Sequence, residues 1–428
     1  MRTLLSNPAA RARWLTSALL AIGTFARSAD SPVTLKDAYK DQFLVGAAIN
    51  RSMATGTAGR RALDLVQKDL ALVKEQFNQI TAENDMKWLL IHPREGADGY
   101  NFGPADAFVN FGVSHNLVVV GHTLVWHSQT PNWVFAGTNP PPAAANTAPG
   151  TGAGAAASAA GTNAPGRGGF GRGFGGGFGR GYTGPRASRE ELLERMRDHI
   201  HTVVGRYQGR IKSWDVVNEA IADGGGTNIL RNSLWLQIIG PDYIAKAFQY
   251  AHEADPDAIL RYNDYGLENP DKRRKLITLI RSLQEQKVPV HAIGSQAHVN
   301  VSTSFEIMDQ ALTEMATFGL PIHITELDVN SAAGGQRGTG ADLAGNASAT
   351  QGGPVDEASR RQADAYAGIF RAFLKHRDSV KMVTFWGVND AVSWRRFGTP
   401  LLFDGNHQPK PAFDAVIRVA TQAQPNTN

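Results

Sequence analysis

The sequence predicts an α/β protein, a (β/α)8 TIM barrel with two low-complexity insertions in its βα loops. Three observations carry that expectation. Short apolar runs rich in Val and Ile alternate with longer runs of helical period, the alternation repeats eight times, and no G-x-G-x-x-G turn follows the first apolar run. Strand-then-helix repetition implies parallel strands joined by crossovers, and eight units close most simply into a barrel. The missing glycine turn disfavours the runner-up, an open doubly wound sheet.

The first strand is FLVGAAIN (43–50), followed by the helical run GRRALDLVQKDLALVKEQF. NQITAEN (78–84) and LVVVGHT (117–123) are the second and third strands. The helix after the third, SREELLERMRDHIHTVVGRY, opens with Ser188 and, three residues on, Glu191, a capping box. IKSWDVVNE (211–219) is the fourth strand and DYIAKAFQYAHEADP its helix. AILRYND (258–264) is the fifth, and Pro270-Asp271 opens the helix that follows. VHAIGSQAH (290–298), PIHITELD (321–328) and VKMVTFWG (380–387) complete the strands, followed in turn by SFEIMDQALTEMATFG, EASRRQADAYAGIFRAFLKH and KPAFDAVIRVATQ.

Two stretches break this rhythm, residues 136–187 and 331–354. Both consist mainly of Gly, Ala, Pro, Thr and Asn, with almost no aliphatic residue larger than Ala. Neither buries enough apolar surface to offset the entropy of ordering, so both are expected to be disordered or loosely held. One follows the third strand and the other the seventh, which places them at the face where barrel enzymes keep their active sites.

Composition narrows the function class. The net charge of +4 is small for 428 residues and the arginines cluster only in the first insertion, so a nucleic-acid footprint is not a property of the whole chain. Cysteine is absent, which removes disulfides, thiol nucleophiles and thiolate metal sites. At the N-terminus Arg2, Arg11 and Arg13 precede an apolar run at 14–26, with the small residues Ala26 and Ser28 at its end. The run is shorter than the roughly 20 residues of a membrane span. Residues 1–28 therefore read as a secretory signal peptide and 29–428 as a single catalytic domain, secreted or periplasmic. An uncleaved N-terminal anchor is the alternative.

If the eight runs are barrel strands, their C-terminal ends meet at one rim, and that rim is polar. It gathers Glu83, Asn84, His122, Asn218, Glu219, Asn263, Asp264, Gln296, His298, Glu326, Asp328 and Trp386. One polar residue at a strand end merely begins a loop; the same pattern on seven strands of eight marks a site. Glu219 and Glu326 stand out because each ends an otherwise apolar strand, where a carboxylate is costly unless paired or used. Two carboxyls across a barrel mouth, with Trp88, Trp126, Trp386 and Trp394 available for stacking on sugar rings, suit glycoside cleavage. His122 and His127 are five apart, which is not the spacing of an H-E-x-x-H metal site. His323 alternates away from Glu326 and is expected to face the helices as a satisfied buried histidine.

The motifs TAENDMKW (81–88), GHTLVWHSQTP (121–131), WDVVNEAI (214–221), YNDYGLE (262–268), IGSQAH (293–298), ITELDV (324–329), FWGVNDAVSW (385–394) and PLLFDGNHQPKPA (400–412) occur in that order. Together they resemble glycoside hydrolase family 10, the endo-β-1,4-xylanases, over roughly residues 35–420 apart from the two insertions. The resemblance implies a (β/α)8 barrel that hydrolyses internal β-1,4-xylosidic bonds of xylan with retention, by double displacement through a covalent glycosyl-enzyme intermediate. Its implied partners are xylan and xylo-oligosaccharides. No cofactor, metal, nucleic acid or membrane span after signal cleavage is expected, and the chain is expected to be a monomer.

The resemblance also implies roles. Glu219 matches the general acid/base and Glu326 the nucleophile, with carboxyls expected to lie about 5 to 5.5 Å apart. Asn218 matches the residue that bonds the sugar 2-hydroxyl, and His298, with Gln296 beside it, the partner that orients the nucleophile. Glu83, Asn84, Lys87, His122, Trp126 and Gln129 match the glycone side of the cleft, Trp386 and Trp394 its aromatic wall and lid, and Tyr265 an aglycone contact. Glu219 is expected to hold its proton because of its neighbour's negative charge, and Glu326 to stay ionised through donors such as His298.

The departure from the family is the first insertion, which contains GRGGFGRGFGGGFGRGYTGPR (166–186). It reads in three ways. A tolerated loop extension costs little, about 0.6 kcal/mol per doubling of length. Alternatively, Arg167, Arg172, Arg180 and Arg186, interleaved with Phe170, Phe174, Phe178 and Tyr182, engage xylan with uronic-acid branches. The third reading, salt-sensitive RNA binding, sits poorly with an export signal and a catalytic rim.

Overall fold

The computed structural model describes residues 33–59, 61–139, 182–332 and 355–422. The expected signal peptide and most of both insertions lie outside the described residues.

Eight strands form the core: β1 Leu44–Ile49, β2 Gln79–Ala82, β3 Val118–Trp126, β4 Ser213–Asn218, β5 Ile259–Asp264, β6 Ala292–Ser295, β7 Ile322–Asn330 and β8 Val380–Phe385. Each pairs in parallel with the next, and β8 returns to β1 through Leu44 opposite Met382, so the sheet is closed. A crossover helix follows every strand: α1 Leu63–Gln76, α2 Gly103–Ser114, α3 Arg189–Arg206, α4 Tyr243–Ala254, α5 Pro270–Glu285, α6 Phe305–Ala316, α7 Val355–Lys375 and α8 Pro411–Gln422. This is the (β/α)8 barrel of the sequence reading. The strands are buried almost throughout because helices cover their outer faces and side chains fill the interior. Helices turn one apolar stripe inward; on α5 it is Leu276, Leu279, Ile280 and Leu283.

The helix starts read from sequence are present. The Ser188 hydroxyl accepts from Glu191 N at 3.1 Å while the Glu191 carboxylate accepts from Ser188 N at 2.8 Å. Pro270 occupies the first turn of α5 behind Asn269, whose side chain accepts from Asp271 N at 2.8 Å.

Three expectations are corrected. The sixth strand was expected to run to His298, but β6 ends at Ser295; Ala297 turns the chain with φ 56°, and His298–Asn300 forms a separate short strand on β7. The first insertion was expected to begin at residue 136, yet both of its ends are ordered. Gly137 N bonds Pro185 O at 3.0 Å and Ala187 N bonds Phe135 O at 2.9 Å, closing an antiparallel neck. Arg195 of α3 clamps that neck by donating to the carbonyls of Trp133, Val134 and Ala136.

The third correction concerns His323. Ile324 pairs with Val383 and Leu327 with Phe385, so β7 takes three steps where β8 takes two. This bulge reverses the side-chain parity of β7, and His323 and Glu326 both enter the barrel. His323 is buried and satisfied, but inside: its Nδ1 accepts from Arg261 at 3.2 Å, and Arg261 also reaches Met382 of β8. Burial and the Arg261 charge push His323 down to about 3, so it is neutral. Arg261 pairs with Asp215, which accepts from His122 Nδ1 at 2.9 Å. Burial opposes the Asp215 charge, but Arg261 and His122 outweigh it and hold the carboxyl down to about 2. A bulge on β4, between Asp215 opposite Arg261 and Val217 opposite Tyr262, likewise lets Asp215 and Asn218 share the inner face.

Candidate active site

Glu219 follows β4 with φ 57°, in the left-handed region that non-glycine residues seldom adopt. Its backbone is held on both sides: its N–H donates to Asn263 O at 2.9 Å, and its carbonyl accepts from Arg231 Nε at 3.0 Å. The side chain is 3% exposed. Gln296 Nε2 donates to Oε1 at 3.1 Å and Trp126 Nε1 to Oε2 at 2.9 Å. Burial raises its proton affinity most, and the charge of Asp264 adds to it. The sequence predicts this direction from a neighbouring negative charge; burial is the larger cause, with the charge of Asp264 next.

Glu326 is brought inward by the β7 bulge. Asn263 Nδ2 donates to Oε1 at 2.9 Å, and His298 Nε2 lies 3.2 Å from Oε2. His298 Nδ1 is 2.9 Å from Asp328, which also accepts from Trp394 Nε1 at 2.8 Å and from Arg395. Burial works against a charged imidazole, but the charge of Asp328 and the hydrogen bonds to Asp328 and Glu326 prevail and raise His298 to about 9. Both ring nitrogens are therefore donors near neutrality.

An arc of amides joins the two carboxyls. Asn218 Oδ1 accepts from Asn263 at 2.9 Å and from Gln296 at 3.3 Å, while each donor also reaches one glutamate. Asn218 Nδ2 is buried with no hydrogen-bond partner among the described residues, a donor left for a ligand. Gly294 in β6 makes room for this arc, because a Cβ there would lie 2.4 Å from Asn263 Oδ1.

The loop after β2 supplies Glu83, Asn84 and Lys87. Lys87 Nζ donates to Asn84 Oδ1 at 2.9 Å and sits 5.2 Å from the Trp126 ring and 5.9 Å from the Trp386 ring. Burial lowers its proton affinity, opposed by the charges of Glu326, Glu83 and Glu219. Burial raises that of Glu83, opposed by Lys87. The Trp386 ring lies 5.2 Å from the His122 ring, and Trp394 lies 4.8 Å from that of His298, the imidazole that faces Glu326. Tyr265, after β5, bonds Asp223 and Arg231 beside a cavity of about 360 Å³ that His298 also lines.

Two candidates stand apart. Trp88 offers no sugar-stacking face: it stacks on His199 at 3.7 Å, within a core cluster that includes Trp133 and Trp235. Gln129 adopts φ 46° and its carbonyl accepts from Leu89 N, but no described hydrogen bond ties its side chain to the other candidates. Asn263 and Asp328, visible on the polar rim but given no role, prove central. Arg231 and Arg395 lie in loops, where no periodicity marks them. Among the described residues no group of three or more His, Cys, Asp or Glu is arranged to hold a metal ion.

The sequence profile of glycosyl hydrolase family 10 matches residues 34–148 and 182–419. The chain belongs to glycosyl hydrolase family 10. This family 10 chain is 37% identical over 395 residues to the endo-1,4-beta-xylanase of Geobacillus stearothermophilus, covering 90% of this chain and 98% of that one. It is 34% identical over 393 residues to the beta-1,4-xylanase of Dictyoglomus thermophilum, covering 90% of each. Among solved structures it matches xylanase XynB of Paenibacillus barcinonensis, complexed with a conduramine derivative, with TM-score 0.70 and 35% identity over 91% of this chain and 99% of that one. A mutant intracellular xylanase of Thermoanaerobacterium saccharolyticum in complex with xylotetraose matches with TM-score 0.68 and 33% identity, over 90% and 98%.

Proposed function

We propose that this family 10 protein is an endo-β-1,4-xylanase that cleaves xylan by double displacement, with Glu326 as nucleophile and Glu219 as acid/base. The observation that carries the reading is the unequal setting of the two buried carboxyls. Glu326 accepts from Asn263 and faces His298, a charge-bearing donor at neutral pH. Among the described residues the Glu219 carboxyl accepts from the neutral donors Gln296 and Trp126, and its proton affinity is raised. One group is set to attack and the other to give a proton. The xylanase relatives and the xylotetraose complex support the substrate class.

In the first step a Glu326 oxygen bonds the anomeric carbon while the glycosidic C–O bond breaks and the Glu219 proton passes to the departing oxygen. In the second step Glu219, now ionised, takes a proton from water; the water oxygen bonds the anomeric carbon and the ester to Glu326 breaks. Asn218 Nδ2 supplies the free donor for the sugar 2-hydroxyl. Trp126, Trp386 and Trp394 supply apolar faces for the rings. Export of the mature chain is inferred from the charged and apolar pattern of residues 1–28.

The test is release of reducing ends from glucuronoxylan and carboxymethyl cellulose by the mature chain and by Glu326→Ala. Xylan cleavage abolished in the variant supports the reading. No xylan cleavage by the folded wild-type chain would end it.

A further inference from the structure

Behind Glu219 lies a ring of charged side chains that the two-carboxylate mechanism does not use. We propose that Arg231, Asp264 and Lys272 are positioning residues for the acid, joining Glu219 through Asp223 and Tyr265 to the cavity that His298 also lines. The inference rests on Glu219 being the proton donor.

The geometry begins at the Glu219 backbone. A non-glycine residue at φ 57° persists only where its surroundings over-determine it. Here the carbonyl is held by Arg231 Nε at 3.0 Å. The same guanidinium donates through Nη2 to Tyr265 OH at 2.8 Å and to Asp223 at 3.0 Å. Arg231 thus fixes the acid with one edge and Tyr265 with the other.

Asp264 closes the ring from β5. It is fully buried and accepts from Tyr265 N at 2.9 Å, from Ile221 N at 3.2 Å and from Tyr262 OH. Lys272 Nζ lies 2.8 Å from Asp264, 3.0 Å from Asp223 and 3.3 Å from the centre of the Tyr265 ring. Arg231, Asp223, Lys272 and Asp264 therefore surround Tyr265, and Asp223, Tyr265 and Lys272 line the cavity of about 360 Å³ together with Glu268 and His298.

The charged groups act on Glu219 with opposite signs. Beyond burial, Asp264 favours its protonated form and Arg231 its ionised form. Lys87 and Tyr265 interact with the Glu219 charge, His127 and Tyr243 line the space beside it, and Gln296 and Trp126 are its uncharged donors. Removing the Arg231 charge makes the acid hold its proton to higher pH. Removing Lys272 uncovers Asp264 and Asp223 and acts in the same direction. Neutralising Asp264 acts in the other.

The experiment measures kcat/KM against pH for wild type, Arg231→Met, Lys272→Met and Asp264→Asn, with Glu219→Ala as control. The substrates are xylan, whose leaving group needs a proton, and dinitrophenyl xylobioside, whose leaving group does not. The basic limb is expected to move upward in Arg231→Met and Lys272→Met and downward in Asp264→Asn. Arg231→Met is expected to lose roughly 10- to 100-fold on xylan, part of what a placed general acid supplies, and far less on the activated substrate. An unmoved basic limb in both Arg231→Met and Lys272→Met, or equal losses on the two substrates, would overturn the proposal and leave the ring a structural brace. If Asp264→Asn does not fold, the other two variants decide. Xylan cleavage retained by Glu219→Ala would instead remove the acid assignment itself.

Discussion

His298 holds Glu326 with one nitrogen and Asp328 with the other: Nε2 lies 3.2 Å from the Glu326 carboxylate and Nδ1 2.9 Å from that of Asp328. Because the folded chain raises this imidazole from 6.5 to about 9, the linked stabilisation is complete below pH 6.5 and is lost as pH rises through about 9. Its size is on the order of 3 kcal/mol, from 1.36 kcal/mol per unit. Thermal unfolding between pH 6 and 10 should show the wild type losing stability across that window and His298→Gln losing much less. Parallel curves for the two proteins would contradict the pairing.

The ion cluster inside the barrel makes a second prediction. Asp215→Ala leaves Arg261 buried without its counter-charge, which should cost about 3–5 kcal/mol in urea unfolding. Asp215→Leu combined with Arg261→Met should recover most of that loss, because a well-packed apolar pair removes both desolvation costs. A single variant as stable as wild type would show that the cluster is not closed as described.

The neck of the first insertion makes a third. Replacing residues 140–181 by a short Gly-Ser link keeps the Gly137–Pro185 and Phe135–Ala187 hydrogen bonds and the Arg195 clamp. Melting temperature and cleavage of neutral arabinoxylan are expected to stay unchanged, since loop length contributes weakly to stability. A loss confined to glucuronoxylan would assign the arginines of the segment to uronic-acid branches. Loss of the fold would show that the neck does not close independently.

Much of the fold was legible because barrel strands leave strong signatures: apolar runs with polar C-terminal ends, at a repeat set by the crossover helices. The same signatures exposed Glu219 and Glu326, since an acid at the end of an apolar strand is conspicuous. What failed were inferences from strict alternation. His323 sits inside the barrel because one extra residue on β7 reverses the parity, and no local composition announces a bulge. Trp88 stacks on the buried His199, and a tryptophan in a motif looks the same in sequence whether it does that or faces sugar. Arg231 and Arg395 act from loops, where side-chain direction depends on the finished fold.

The most direct test of the two-carboxylate account is proton NMR of the products in the first minutes of xylo-oligosaccharide hydrolysis, before mutarotation. Attack by Glu326 followed by water activated at Glu219 inverts the anomeric carbon twice, so the β-anomer should appear first. Initial appearance of the α-anomer would contradict a covalent role for Glu326.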